Sequence, residues 1–191
     1  MAGSASSGSE ATYSTGARHF HWWTVALIAI QVPLGVYMVY RGNVTNFDAL
    51  TNTLYSWHKT LGMVILLLVI ARLTYRFSHG APADEPTLEW WQKAASHATH
   101  WTLYLLLILV PVMGWLGISY YGAREVFGLF SIPPLAAPDQ SAADRVLTIH
   151  RYLGFLTVAV IGAHVGAALF HYIIRKDGVL ARMLPWAERR G

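Results

Sequence analysis

The stretch Trp57-His58-Lys59-Thr60-Leu61-Gly62-Met63-Val64-Ile65-Leu66-Leu67-Leu68-Val69-Ile70-Ala71 decides how the whole chain is read. It couples an imidazole and a cation to a glycine, then runs apolar without a break. The same pattern, His-basic-x-Leu-Gly, returns as His150-Arg151-Tyr152-Leu153-Gly154, again at the head of an apolar stretch. Four such stretches are visible, at roughly 20–40, 54–77, 101–121 and 147–174. Each reaches the ~20 residues a helix needs to cross a bilayer. None alternates with period two, which argues against a β-barrel. Lipid offers the backbone no hydrogen-bond partner, so each stretch must be a helix. The fold class expected is all-α, an integral membrane four-helix bundle forming one domain over 17–185. Residues 1–16, rich in Ser, Gly, Ala and Thr, are expected to form a disordered tail. They lack the apolar core of a cleaved signal peptide. Residues 186–191 are read as a short C-terminal tail.

Composition narrows the classes further. Of the 191 residues, 54% are apolar and only 13% charged, against about 25% charged in a soluble domain. The absence of cysteine excludes disulfides, thiolate metal sites, iron–sulfur clusters and covalent haem attachment through Cys-x-x-Cys-His. The net charge of +4 does not point to nucleic acid, because the basic residues lie at the ends of the apolar stretches. One side carries Arg18, Arg72, Arg76, Lys93, Arg175, Lys176, Arg182, Arg189 and Arg190. The other carries Arg41, Lys59, Arg124, Arg145 and Arg151. The positive-inside rule makes the first side, with both termini, cytoplasmic. The connection 78–96 is then a cytoplasmic loop, with residues 87–98 an amphipathic lead-in to the third helix. The Pro-rich connection 122–143 is extracytoplasmic, with an interfacial turn around 126–130. Trp22, Trp23, Trp57 and Trp101 fall where an aromatic belt would, and Pro33 and Pro111 are expected to kink the first and third helices.

Nine histidines in such a chain need an explanation, since ionisable groups within a membrane are costly and mark function by default. The second and fourth helices enter from the same side, so His58 and His150 sit at similar depth. Two imidazoles facing each other across a bundle, each with a glycine about one turn on, suit a flat macrocycle whose iron they ligate. His164 follows His150 by fourteen residues. At ~100° per residue both face one way, and at ~1.5 Å per residue they are ~21 Å apart. That geometry stacks two haems, with Gly154, Gly162 and Gly166 leaving room for the rings. His171 shares the face of His164, but choosing it would separate the sites by ~31 Å, too far for good electron transfer. The second ligand of the inner site is open at this point. His21 lies at the right end, His19 lies closer to water, and His97 and His100 are rival ligands or donors to haem propionates. Arg72 and Arg76 share a face four residues apart and are either propionate partners or topology charges. Lys59 and Arg151 follow the two outer histidines directly. They either pair with propionates or form a catalytic positive funnel for an anionic reactant.

Taken together these pieces resemble the bacterial cytochrome b561 family, related to the cytochrome b subunits of nickel–iron hydrogenases. The likeness runs from about residue 17 to 185. It is carried by His21-Trp22, Trp57-His58 with Gly62, His97-x-x-His100 with Tyr104, and Leu109-Val110-Pro111-Val112-Met113-Gly114-Trp115. It continues through His150, His164 and His171-Tyr172, and ends in Arg175-Lys176-Asp177-Gly178-Val179-Leu180-Ala181-Arg182-Met183-Leu184-Pro185. The resemblance implies two b-type haems as cofactors, the inner held by His21 and His164, the outer by His58 and His150. It implies electron exchange with ubiquinone in the bacterial inner membrane. It also implies, for similar proteins, oxidation of superoxide at the outer face. With two imidazoles per iron neither haem would have an open position, so outer-sphere transfer of single electrons is expected rather than dioxygen activation. The alternative function is a membrane anchor and electron conduit for a separate periplasmic redox partner docked on the 122–143 loop. A histidine relay for protons without haem is the third reading.

Overall fold

The computed structural model describes residues 12–187. Four long helices account for most of them: α1 (Thr15–Thr45), α2 (Ala49–His79), α3 (Trp90–Tyr121) and α4 (Gln140–Phe170). All four are long and apolar enough to cross a membrane. Each outruns its apolar stretch, because a 31-residue helix spans about 46 Å while the hydrocarbon layer is about 30 Å. The surplus turns reach the headgroup zone, and there the chain carries its capping chemistry. Ser14 caps α1 through the Ala17 N–H, Asp48 caps α2 through Thr51, and Asp139 caps α4 through Ala142. Glu89 and Gln92 form a reciprocal capping box on α3. Such side chains satisfy donors that the first helical turn leaves free.

The described segments sit against the expected boundaries in three places. Of the expected lead-in 87–98, residues 90–98 form the first turns of α3, which runs unbroken from Trp90 behind its capping box. Of the expected tail 1–16, residues 1–11 lie outside those described, but Ser14 caps α1 and Thr15 and Gly16 belong to it. Gly16 is close-packed, as a Cβ there would come within 2.6 Å of the Tyr75 hydroxyl. Of the expected tail 186–191, Trp186 and Ala187 lie in a 3₁₀ turn, Pro185–Ala187. The turn expected around 126–130 is the tip of a small antiparallel hairpin, β1 (Glu125–Val126) with β2 (Phe130–Ser131), Val126 facing Phe130.

α1 packs on α2, α2 on α3 and α3 on α4. A buried cluster of Ile65, Val69, Tyr104 and Leu107 forms the middle of the bundle, flanked by Leu27, Ile28, Leu73 and Ile108. Many large apolar side chains, such as Leu67 and Leu105, face outward. Lipid tails are as apolar as leucine, so a membrane helix gains little by burying them against protein. The two ends of the bundle differ. At one end lie both described ends of the chain, and the segment after α4 folds back over it. A π-helical turn, His171–Arg175, leads to Met183, whose carbonyl accepts from Trp22 Nε1 at 3.2 Å, and Arg175 donates to the Thr87 carbonyl. At the other end the hairpin lies over α2. These are called below the terminal end and the hairpin end.

Candidate functional site

Helix geometry places the repeated motif so that its two histidines meet. The rings of His58 on α2 and His150 on α4 face each other with centroids 6.1 Å apart and planes at 89°. Toward the terminal end a second pair, His21 on α1 and His164 on α4, has centroids 6.3 Å apart at 70°. Two imidazoles on opposite sides of one metal ion would be separated by roughly 6.2 Å between centres, given about 2.0 Å per metal–nitrogen bond and about 1.1 Å from nitrogen to ring centre. Both pairs meet that spacing. His100, the rival at the terminal end, stands 5.3 Å from His164, too close to share an ion across a macrocycle plane. Among the described residues no three or more His, Asp or Glu side chains gather into a metal-only site. Facing pairs suit a metal that brings its other four ligands with it, as haem iron does.

The surroundings of the hairpin-end pair fit that group. Each ring lies against a glycine on a neighbouring helix. A Cβ at Gly35 of α1 would come within 2.9 Å of His58 Cε1, and one at Gly114 of α3 within 3.0 Å of His150 Cε1. Any larger residue would push the imidazole away. His150 Nδ1 lies 2.9 Å from the Val110 carbonyl. A carbonyl only accepts, so Nδ1 carries the proton and Nε2 presents its lone pair, the tautomer a metal requires. His58 Nδ1 is buried without a partner. Gln31 Nε2 donates to the His58 main-chain carbonyl at 3.0 Å.

The terminal-end pair sits among cations. Arg72 Nη2 lies 3.2 Å from His21 Nδ1. The guanidinium can only donate, so this contact puts the His21 proton on Nε2. Ligation through Nε2 requires Arg72 to turn its donor elsewhere, and a propionate carboxylate is a suitable acceptor. Arg72 also lies over the Tyr104 ring at 5.3 Å, and Arg76 over Trp101 at 5.9 Å. Arg72, Arg76 and His100 line one narrow pocket together with Tyr75, Tyr104 and Met183.

Other residues singled out in the sequence have different neighbours. Lys59 does not point into free space: its ammonium donates to the Ala123 carbonyl at 3.2 Å and to that of Glu125. It is a clasp between α2 and the hairpin, helped by Ser56, which accepts from the Phe127 N–H, and by Trp57 edge-on to Phe127. Arg151 is exposed and lies over the Tyr152 ring. The cation pair read as a funnel is therefore unequal. His97 is an exposed partner of Asp84 at 3.1 Å. His171 is held by buried Asp177 at 2.6 Å, which engages it away from His164. A Cβ at Gly154, Gly162 or Gly166 would meet nothing within 4 Å, and the glycines that lie against an imidazole are Gly35 and Gly114. Their sequence signal was available: each follows a His-Trp dipeptide's histidine (His21, His100) by fourteen residues, the offset that separates His150 from His164.

Comparison with known proteins gives a consistent picture. A model of the prokaryotic cytochrome b561 family matches residues 12–186. The chain is 28% identical over 167 residues to cytochrome b561 homolog 1 of Escherichia coli, covering 87% of this chain and 93% of that protein. Homolog 2 of the same organism is 29% identical, over 86% of this chain and 87% of its own length. A probable superoxide oxidase CybB of Yersinia pestis is 31% identical over 70% of this chain and 75% of that protein.

Proposed function

The chain belongs to the prokaryotic cytochrome b561 family, a multi-pass membrane cytochrome b of electron transfer, and from that premise we propose that it carries two bis-histidine haems and passes single electrons between an extracytoplasmic donor and ubiquinone. The observation that carries this reading is the pair of imidazole separations, 6.1 and 6.3 Å. In it His58 and His150 hold one haem, and His21 and His164 the other. Haem iron supplies a one-electron couple whose potential follows its axial ligands and burial. The chain's own residues set the rest. His150 is held in the ligating tautomer by Val110, Arg72 and Arg76 offer cations to propionates, and the cluster between the pairs keeps water out of the middle. In this reading the hairpin end is extracytoplasmic and the terminal end cytoplasmic, as the basic residues indicate.

For the donor the reading is superoxide, supported by the name borne by the Yersinia relative and by Arg151, an exposed cation beside His150 that would attract a small anion. Two superoxide ions would give up one electron each and leave as dioxygen. One ubiquinone would take both electrons and two protons and leave as quinol. The exposed apolar residues of the hairpin, Leu129 and Phe130, favour a second reading, in which a periplasmic redox protein docks there and the chain is its conduit. A stopped-flow superoxide pulse on the oxidised purified protein separates the two. Haem reduction passed on to added ubiquinone is the expected result. Intact haem that superoxide fails to reduce would leave the conduit, and a colourless protein would end both.

A further inference from the structure

The two hairpin-end histidines are built alike except in one respect. His150 rests on Gly114, and its Nδ1 bonds to the carbonyl of Val110, four residues before that glycine. His58 rests on Gly35 in the same way, with Cε1 and Nδ1 nearest a Cβ built there, at 2.9 and 3.3 Å. The residue four before Gly35 is Gln31. Its amide nitrogen already donates to the His58 carbonyl at 3.0 Å, so its side chain lies against this histidine. Its other end, Oε1, is buried without a partner, and so is His58 Nδ1. One orphan is an acceptor; the other becomes a donor once Nε2 gives its lone pair to a metal. A buried unpaired polar atom is costly, and pairing the two atoms removes both costs.

We propose that Gln31 is the positioning residue of His58, its side-chain carbonyl accepting from Nδ1–H as the Val110 main-chain carbonyl does for His150. This rests on the reading that His58 and His150 are the axial ligands of one haem. The consequence is chemical: an acceptor on Nδ1 makes an imidazole a stronger donor to the metal and favours the oxidised state. One axial ligand of this site is then set by the main chain and the other by a replaceable side chain.

The test is a redox titration with low-temperature EPR on the purified, haem-loaded full chain. The affected haem is identified as the one missing from His58→Leu. Gln31→Leu should raise the midpoint potential of that haem and shift its low-spin EPR signal, leaving the other haem where it was. Gln31→Asn, whose amide is too short to reach, should shift it in the same direction and serves if the leucine variant folds poorly. Gln31→Glu, a stronger acceptor, should shift it the opposite way. An unmoved potential of that haem in the variants that retain it, or its loss from the leucine, asparagine and glutamate variants alike, would reduce Gln31 to a packing residue and overturn the proposal. So would equal shifts of both haems. Retention of two haems by His58→Leu would instead overturn the ligand assignment beneath it.

Discussion

The hairpin-end histidine pair is symmetric in the chain, and the terminal-end pair is not. His58 and His150 occupy the same place in two copies of one motif, each on a glycine supplied by the helix before it. Fourteen residues further along each copy the sequences part: α4 has His164, α2 has Arg72. The first and third helices keep their match, with His21 and His100 each heading a His-Trp dipeptide. The four matched positions at the terminal end therefore hold three imidazoles and one guanidinium where full symmetry would give four imidazoles. With Arg72 in place of a fourth imidazole, one facing pair remains there with a positive charge beside it. The comparison teaches that, on the proposed reading, two similar histidine sites would be given different charge, and so different potentials, by one residue.

The largest effects should come from breaking the pairs themselves. His58→Leu and His150→Leu are each expected to reduce the haem content from two per chain to one, and to equal extents, as measured by pyridine haemochrome assay. At the terminal end the symmetry should fail. His21→Leu and His164→Leu should each lose a haem, whereas His100→Leu should keep both. Two haems in His21→Leu and one in His100→Leu would reverse the assignment made from the 6.3 and 5.3 Å separations.

The glycines give a subtler comparison. Gly35→Val and Gly114→Val should each weaken haem affinity at the hairpin end, by about 10-fold as displaced supports of metal ligands do. The terminal-end haem should be spared. A loss in one variant only would show that the two cradles are not equivalent.

Lys59 and Arg151 test the same motif one residue on. Arg151→Gln should slow reduction by superoxide about threefold at low ionic strength, with the difference vanishing in high salt as the charge is screened. Lys59→Met should leave that salt dependence in place and instead speed proteolysis within residues 123–131, because the hairpin loses its clasp. The reverse pattern would make Lys59 the steering charge.

The smallest effect concerns the caps of α2 and α4, Asp48 and Asp139. Thr51 backbone N–H donation, followed by the Arg41 guanidinium, holds the Asp48 carboxyl at about 2, below its ordinary 3.8. Its contribution is thus complete above about pH 4 and lost as the pH falls through about 2. Hydrogen exchange at the first turn of α2 should accelerate over that window. Asp48→Asn should flatten the response while keeping a capping side chain.

Much of this was legible in the residues, and the reasons are physical. A run of apolar residues of bilayer length leaves only the helix open to it, so four helices follow from composition. The fourteen-residue offset fixes direction and depth along one rigid helix, which is why His150 and His164 could be related before any packing was known. What could not be read depends on contacts between distant segments. Lys59 gave the same signal as Arg151, because its partners are main-chain carbonyls some 64 residues away. Gly35 and Gly114 share a fourteen-residue offset from His21 and His100, but that they support the imidazoles of His58 and His150 follows only once α1 is known to pack on α2 and α3 on α4. Strands of two residues carry no periodicity, so the hairpin was readable only as a turn. The helices run past the apolar stretches because capping side chains, not hydropathy, set their ends.

The fourteen residues between His150 and His164 also have an electrical meaning. They amount to ~21 Å along the helix, about two thirds of the hydrocarbon layer. A full crossing by one elementary charge is worth about 2.3 kcal/mol per 100 mV of membrane potential. A charge moved from one pair to the other would therefore gain or lose roughly 1.5 kcal/mol per 100 mV, about a tenfold change in how the electron is shared. In an energised membrane with the terminal end inside, the voltage would hold electrons toward the hairpin end, so the membrane potential would itself bias how the two pairs share an electron.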